Sequence, residues 1–209
     1  MLLLPRGYRG SATLEIKRSV FLADLSRVGD EEAARAAVAA ARKSHPDARH
    51  HCSAFVIAAD GGQPVSRSSD DGEPAGTGGM PILAALHGSE LVDVVCVVTR
   101  WFGGVKLGAG PLARAYGDVA GLALAQAPRV VRVLHPRWRV HVSYARLGRL
   151  VDDLTSRGLA VEPEYAQDAA LLVTAPPGTD LGALIASLTQ GTGTITPAGE
   201  VAVETPVAG

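Results

Sequence analysis

Most of the side chains in this chain that could do chemistry sit in two glycine-rich stretches. The first reads Ser69-Asp70-Asp71-Gly72-Glu73-Pro74-Ala75-Gly76-Thr77-Gly78-Gly79-Met80-Pro81, and the second Thr99-Arg100-Trp101-Phe102-Gly103-Gly104-Val105-Lys106-Leu107-Gly108-Ala109-Gly110-Pro111. Proline suits the first helical position, so Pro81 and Pro111 each predict a helix start. Glycines permit close backbone approach, and free N–H groups at a helix start attract anions. Gly76, Thr77, Gly78 and Gly79 in one loop, and Gly103 and Gly104 in the other, therefore predict a binding surface for something negative. Arg100, Lys106 and Arg114 supply positive charge beside it. Asp70, Asp71 and Glu73 put three carboxylates within four positions, which could hold Mg²⁺ beside a phosphate. The same run is also ordinary turn chemistry, and a structural or hydrogen-bonding role is the preferred reading.

Neither loop is a phosphate motif of known mechanism. Pro81 occupies the place of the third glycine of GxGxxG, and Ala109 stands where a P-loop needs its lysine. His50-His51-Cys52 has no second Cys/His pair to complete a zinc site. The preferred reading makes Cys52 a buried strand residue beside surface histidines. No G-x-S-x-G elbow is present.

The elements that must position these loops follow from periodicity and caps. Strands are predicted at Ala12–Ile16, Val20–Val28, Ser53–Ala59, Val65–Arg67 and Val92–Thr99. Helices are predicted from the Asp30 N-cap to about Lys43, from Pro81 to Gly88, and from Pro111 to about Ala127. Asp60-Gly61-Gly62 supplies turn residues between two of the strands. The expected arrangement is an α+β layer with helices over one side of the strands. Pro128–Pro136 reads as a junction, with Arg129, Arg132, Arg137 and Arg139 around it as a suggestive basic cluster. Beyond it, Trp138, Val140, Val142 and Tyr144 alternate as in a half-buried strand, and Leu147, Leu150, Val151 and Leu154 follow helical spacing. Strands near Leu159–Tyr165 and Ala169–Ala175, a helix through Leu181–Leu188 and a strand at Val201–Glu204 complete β-α-β-β-α-β, the ferredoxin-like order. The two domains expected are residues 1–131 and 136–205.

Composition excludes several classes. A chain of 209 residues, 47% hydrophobic and 20% charged, is a folded globular protein. The net charge is -1, but residues 1–135 carry 15 basic and 13 acidic side chains (+2) and residues 136–209 carry 5 and 8 (-3). Attraction to a phosphate backbone would have to come from a local patch in the first part. Cys52 and Cys96 form no CxxC pair, which suits a reducing cytosol. Met1-Leu2-Leu3-Leu4-Pro5 is too short for a signal-peptide core, and no run of apolar residues is long enough to span a membrane. The expectation is a cytoplasmic protein.

Ser69–Thr77, Thr99–Gly108 and Arg114-Ala115-Tyr116 resemble the hallmark of the YigZ/Impact family: Ser-Asp-Asp-Gly-Glu-Pro-x-Gly-Thr, then Thr-Arg-aromatic-Phe-Gly-Gly-x-Lys-Leu-Gly, then Arg-Ala-Tyr. The His51-Cys52 region and the opening strand around Glu15–Phe21 are similar too, so the resemblance covers essentially the whole chain. Trp101 replaces the usual Tyr, Gly78 a common Ala, and Pro111 a usual second Gly. The resemblance implies a first domain like the second domain of ribosomal protein S5, an α/β sandwich, and a ferredoxin-like second domain. The pair is similar to the last two domains of translocating elongation factors, which implies contact with RNA or the ribosome. Eukaryotic Impact proteins damp the amino-acid-starvation response that acts on translation initiation, and they carry an extra N-terminal interaction domain.

The reading adopted is a non-enzymatic, translation-linked binding protein without a cofactor. Its surface would join the amides of Gly76–Gly79 and Gly103–Gly110 to Arg100, Lys106 and Arg114. A Mg²⁺-dependent enzyme acting on a phosphorylated small molecule is one alternative. The other is a regulator that grips a protein partner through an exposed Trp101-Phe102 pair.

Overall fold

The computed structural model describes residues 1–59, 61–165 and 169–207, which leaves Asp60 of the expected turn outside the described residues. It is an α+β chain that divides into two compact units, one of Met1–Val131 together with the residues from Thr205, the other of Arg132–Glu204.

After a two-residue strand β1 (Leu2–Leu3), the first unit contains β2 (Arg9–Ile16), β3 (Ser19–Arg27), α1 (Glu31–Ser44), β4 (His50–Ile57), β5 (Val65–Ser69), α2 (Gly79–Gly88), β6 (Val94–Trp101) and α3 (Ala109–Gln126). Its sheet runs β2-β3-β6-β4-β5, antiparallel throughout. Alternation decides the faces. Phe21, Ala23, Leu25, Cys52, Ala54, Cys96 and Val98 point toward Ile82 and Leu86 of α2 and Leu112, Tyr116 and Val119 of α3. Val95, Val97, Phe55 and Ile57 point the other way, onto Ala34 and Ala41 of α1. Helices therefore cover both faces, where one covered side was expected. The apolar runs of β4 and β6 are buried almost without interruption because each lies under a helix above and below.

Local signals fix the helices. The Asp30 carboxylate accepts the Ala33 N–H at 2.7 Å, and Glu31 and Glu32 occupy the first turn of α1. Pro81 and Pro111 each stand third in their helices, not first. The missing N–H still costs nothing there, because the first turn has no intrahelical acceptor for it.

The second unit contains most of β7 (Val130–His141), then α4 (Tyr144–Thr155), β8 (Ala160–Tyr165), β9 (Ala169–Thr174), α5 (Leu181–Thr189) and β10 (Thr194–Pro206). The sheet order β10-β7-β9-β8 is the ferredoxin-like one. Val140, Leu171 and Val173 pack on Leu147, Leu150 and Leu154 of α4 and Leu181 and Ile185 of α5. The stretch expected as a junction is strand: β7 runs unbroken through Pro136, and the division between units falls inside it, after Val131. Three of its four arginines are matched by carboxylates: Arg132 by Glu204 at 3.6 Å, Arg137 by Glu162, and Arg139 by Glu164 at 2.7 Å. That pairing removes most of the basic character read there. Among the described residues no helix is long and apolar enough to cross a membrane.

The second unit closes its own core, so a fragment of residues 132–204 should fold alone. Urea denaturation followed by circular dichroism should give one cooperative transition, and Leu171→Ala should cost it about 2–5 kcal/mol. A featureless, non-cooperative melt would show that residues 132–204 are not a domain.

Candidate functional site

Both glycine-rich loops belong to the first unit, and each carboxylate of the first loop has its own protein partners. Asp70 turns back on its own loop. Its Oδ1 accepts the Gly78 and Gly79 N–H groups at 2.9 and 2.8 Å, and its Oδ2 accepts that of Gly76 at 2.7 Å. Partial burial would raise the Asp70 carboxyl, but the three amide bonds outweigh it and hold the group below its ordinary 3.8. The amides of Gly76, Gly78 and Gly79, expected to face an external anion, already hold one. Gly78 and Gly79 are glycines for want of room. A Cβ on Gly78 would lie 2.4 Å from the Cys52 sulfur, and one on Gly79 would lie 2.6 Å from the Ser69 backbone nitrogen. Thr77 is buried, and its hydroxyl donates to the Pro74 carbonyl at 2.6 Å.

Asp71 binds sideways. It pairs with Arg42 of α1 and accepts the His51 backbone N–H at 2.6 Å, while its own carbonyl lies 2.9 Å from His50 Nδ1. Its φ of 46° is the left-handed geometry this turn requires. Glu73 goes inward. Its Oε1 accepts from the Arg100 guanidinium at 2.6 Å and from the Tyr116 hydroxyl at 2.8 Å, with only 5% of the Glu73 side chain and 7% of that of Arg100 exposed. The Arg100 guanidinium carbon lies 5.4 Å from the Phe21 ring centroid and 5.6 Å from that of Phe102. Phe21 in turn meets Tyr116 edge-on at 5.2 Å. The Arg100 Nε has no hydrogen-bond partner among the described residues. Arg100, read as a solvent-facing cation, is a structural one, and Tyr116, its partner through Glu73, was missed.

The remaining sequence expectations separate cleanly. His51 is buried, not a surface histidine, with Nε2 3.2 Å from the His45 carbonyl. Cys52 is fully buried as expected, and burial pushes its thiol up to about 12, which disqualifies it as a nucleophile. Among the described residues no group of three His, Cys, Asp or Glu side chains could hold a metal ion, so the Mg²⁺ alternative has no ligand set in Asp70, Asp71 and Glu73. Trp101 and Phe102 do not form one aromatic surface. Trp101 donates its Nε1–H to Asp47 at 2.8 Å and stacks edge-on with His45, whereas Phe102 leans on Arg100 and is 50% exposed.

What reaches solvent is the second loop. Gly104, Val105, Lys106 and Arg114 are exposed, and the start of α3 carries no side-chain cap. Gly103 docks this loop onto the β2–β3 turn. Its N–H donates to Ser19 Oγ at 3.1 Å, and a Cβ on it would lie 2.1 Å from the Arg18 carbonyl carbon. The turn is Lys17-Arg18, both exposed, with φ of 48° and 63°. A two-residue hairpin loop with both residues left-handed favours Asn-Gly, and other residues there cost roughly 1–2 kcal/mol each. Two long cations are held in that strained position, which points to function at the turn. Sequence reading left Lys17 and Arg18 in the gap between the strands expected at Ala12–Ile16 and Val20–Val28. The shortness of that gap was the available signal; the structure closes it to two residues by pairing Ile16 with Ser19. The side chains of Lys17, Arg18, Lys106 and Arg114 make no ion pair among the described residues.

This sheet with its two loops is the first unit of a known family. The sequence profile of the Impact N-terminal domain matches residues 17–124, and the chain belongs to the Impact family. The Impact family member YvyE of Bacillus subtilis is 38% identical over 160 residues, covering 76% of this chain and 73% of that protein. The family member YigZ of Escherichia coli is 48% identical over 112 residues, 54% of this chain and 55% of its own. A crystal structure described as that of a hypothetical protein is 33% identical, with a TM-score of 0.61 over 93% of this chain and 95% of its own.

The Asp70 bonds carry a sign. A carboxyl lowered by folding stabilises fully above its unfolded value near 3.8, and that contribution is lost as pH falls through the folded value. Asp70→Asn should cost about 1–3 kcal/mol at pH 7 and flatten the acid limb of the stability profile below about pH 4. Denaturation midpoints across pH 2–7 measure both. An unaltered acid limb would mean that Asp70 does not hold those amides.

Proposed function

We propose that this chain is a non-enzymatic, cytoplasmic, translation-linked binding protein that contacts the phosphates of RNA or of a ribosome-associated partner. The link to translation comes from the family resemblance. The carrying observation is that the second loop, which carries exposed Lys106 and leads into α3 with exposed Arg114, docks through Gly103 onto the turn that carries exposed Lys17 and Arg18. This surface replaces the amides of the first loop, which Asp70 occupies, and replaces Arg100, which Glu73 occupies. In its support, four unpaired cations attract polyanions from a chain whose overall charge is only -1.

A protein partner is the second reading, favoured by the exposure of Phe102 (50%) and Val105 (38%) in the same loop. Salt separates the two. Binding to purified ribosomes or structured RNA should weaken steeply with salt, and Lys106→Ala should make the slope of log K against log salt shallower by roughly 0.7–0.9 without lowering the melting temperature. Binding that is indifferent to salt and to Lys106→Ala would favour the protein partner. Absence of RNA and ribosome binding at low salt would end the phosphate reading.

A further inference from the structure

The geometry points to unpaired RNA bases as the specific ligand of this surface, with Phe102 as the platform on which one base stacks. This inference rests on the phosphate-contact reading above and names what that reading leaves open. Phe102 is the outer member of a layered group. Phe21 lies against Arg100 on the inside, Arg100 lies against Phe102, and Phe102 is half exposed beyond them. Glu73, which also accepts the Tyr116 hydroxyl, holds the Arg100 guanidinium, so the ring leans on a buried assembly although it sits in a loop. A ring pre-positioned in this way loses little conformational freedom when a base covers it.

The surroundings favour a nucleotide over an apolar side chain as the occupant. The loop carrying Phe102 is docked through Gly103 onto the Lys17-Arg18 turn, and continues into exposed Lys106 and the exposed start of α3 with Arg114. A half-exposed ring in a loop that carries and docks onto cations with no ion pair among the described residues is the combination that binds a single strand, bases on the ring and phosphates on the side chains. A paired helix presents phosphates but no free base face, so it could use the cations and not Phe102. The chain is poor in aromatics, with three Phe, two Trp and four Tyr, and among the described residues the exposed ones are Phe102 in this unit and Tyr144 in the other. One stacked base is therefore the expectation, not a run of them.

Fluorescence anisotropy on the full chain tests this with two labelled probes, a uridine oligonucleotide of about a dozen residues and an RNA duplex of similar length. The single strand should bind about tenfold tighter than the duplex at low salt. Phe102→Ala should reduce single-strand affinity about tenfold, leave duplex affinity and the salt slope unchanged, and Phe102→Trp should restore the preference. Thermal melting of each variant shows whether it remains folded. Equal affinity for the two probes, or an unchanged single-strand preference in a folded Phe102→Ala, would overturn base stacking while leaving the phosphate contact standing. If neither probe binds at low salt, both readings fall. If Phe102→Ala abolishes binding to a protein partner but not to the single strand, the ring belongs to a protein interface and the inference is wrong.

Discussion

The buried pair between Arg100 and Glu73 is the interaction on which the arrangement of both loops depends. Burying two charges is expensive, and such a pair is favourable only when geometry and further bonds make up the desolvation. Here the carboxylate also accepts the Tyr116 hydroxyl, and the guanidinium lies by two aromatic rings. The five participants come from five places: Glu73 from the first loop, Arg100 from β6, Phe102 from the loop that follows β6, Tyr116 from α3 and Phe21 from β3. One contact set thus ties the first loop to the central strand and to the helix that follows the second loop. Removing either charge alone would strand the other in the interior, at a cost of about 3–5 kcal/mol.

A division of labour between the loops follows. The first is internally satisfied: Asp70 holds its amides, Asp71 ties it to α1 and β4, and Glu73 anchors it in the core. It behaves as a structural clasp whose acidic side chains are used up by protein partners. The second loop contributes only Arg100 and the inner face of Phe102 to that clasp, and gives Lys106, Val105 and the outer part of Phe102 to solvent. The strained Lys17-Arg18 turn, fixed by Gly103, extends the same surface. The charged side chains left to solvent are accordingly not the carboxylates, where the sequence draws the eye, but the cations of the second loop and the turn.

Periodicity made much of the fold legible. The Asp30 cap, the helical spacing of Leu147, Leu150 and Leu154, and the β-α-β-β-α-β order all appear in the structure. The two-sided burial of β6 was also written in the unbroken run Val94–Val98, which an alternating one-sided strand would not show. The site was less legible because its partners are chosen by register. Glu73 and Arg100 are 27 positions apart, and Asp71 and Arg42 are 29 apart. Nothing local says that Arg100 faces α3. Trp101 and Phe102 are adjacent in sequence, yet Trp101 pairs across from Val20 and turns toward His45, while Phe102 follows the strand's end and folds back on Arg100. Adjacency suggested one aromatic surface where the pleat makes two.

The account's central claim is that Glu73 and Arg100 couple the two loops into one preformed surface. Native-state hydrogen exchange of the Glu73→Gln variant tests it most directly. The account predicts that the hydrogen-bonded amides of Gly76–Gly79 and of Gly103 lose protection together, by a common free energy, while those of β2 and α1 do not. Loss of protection confined to residues 76–79, with the second loop unchanged, would contradict it.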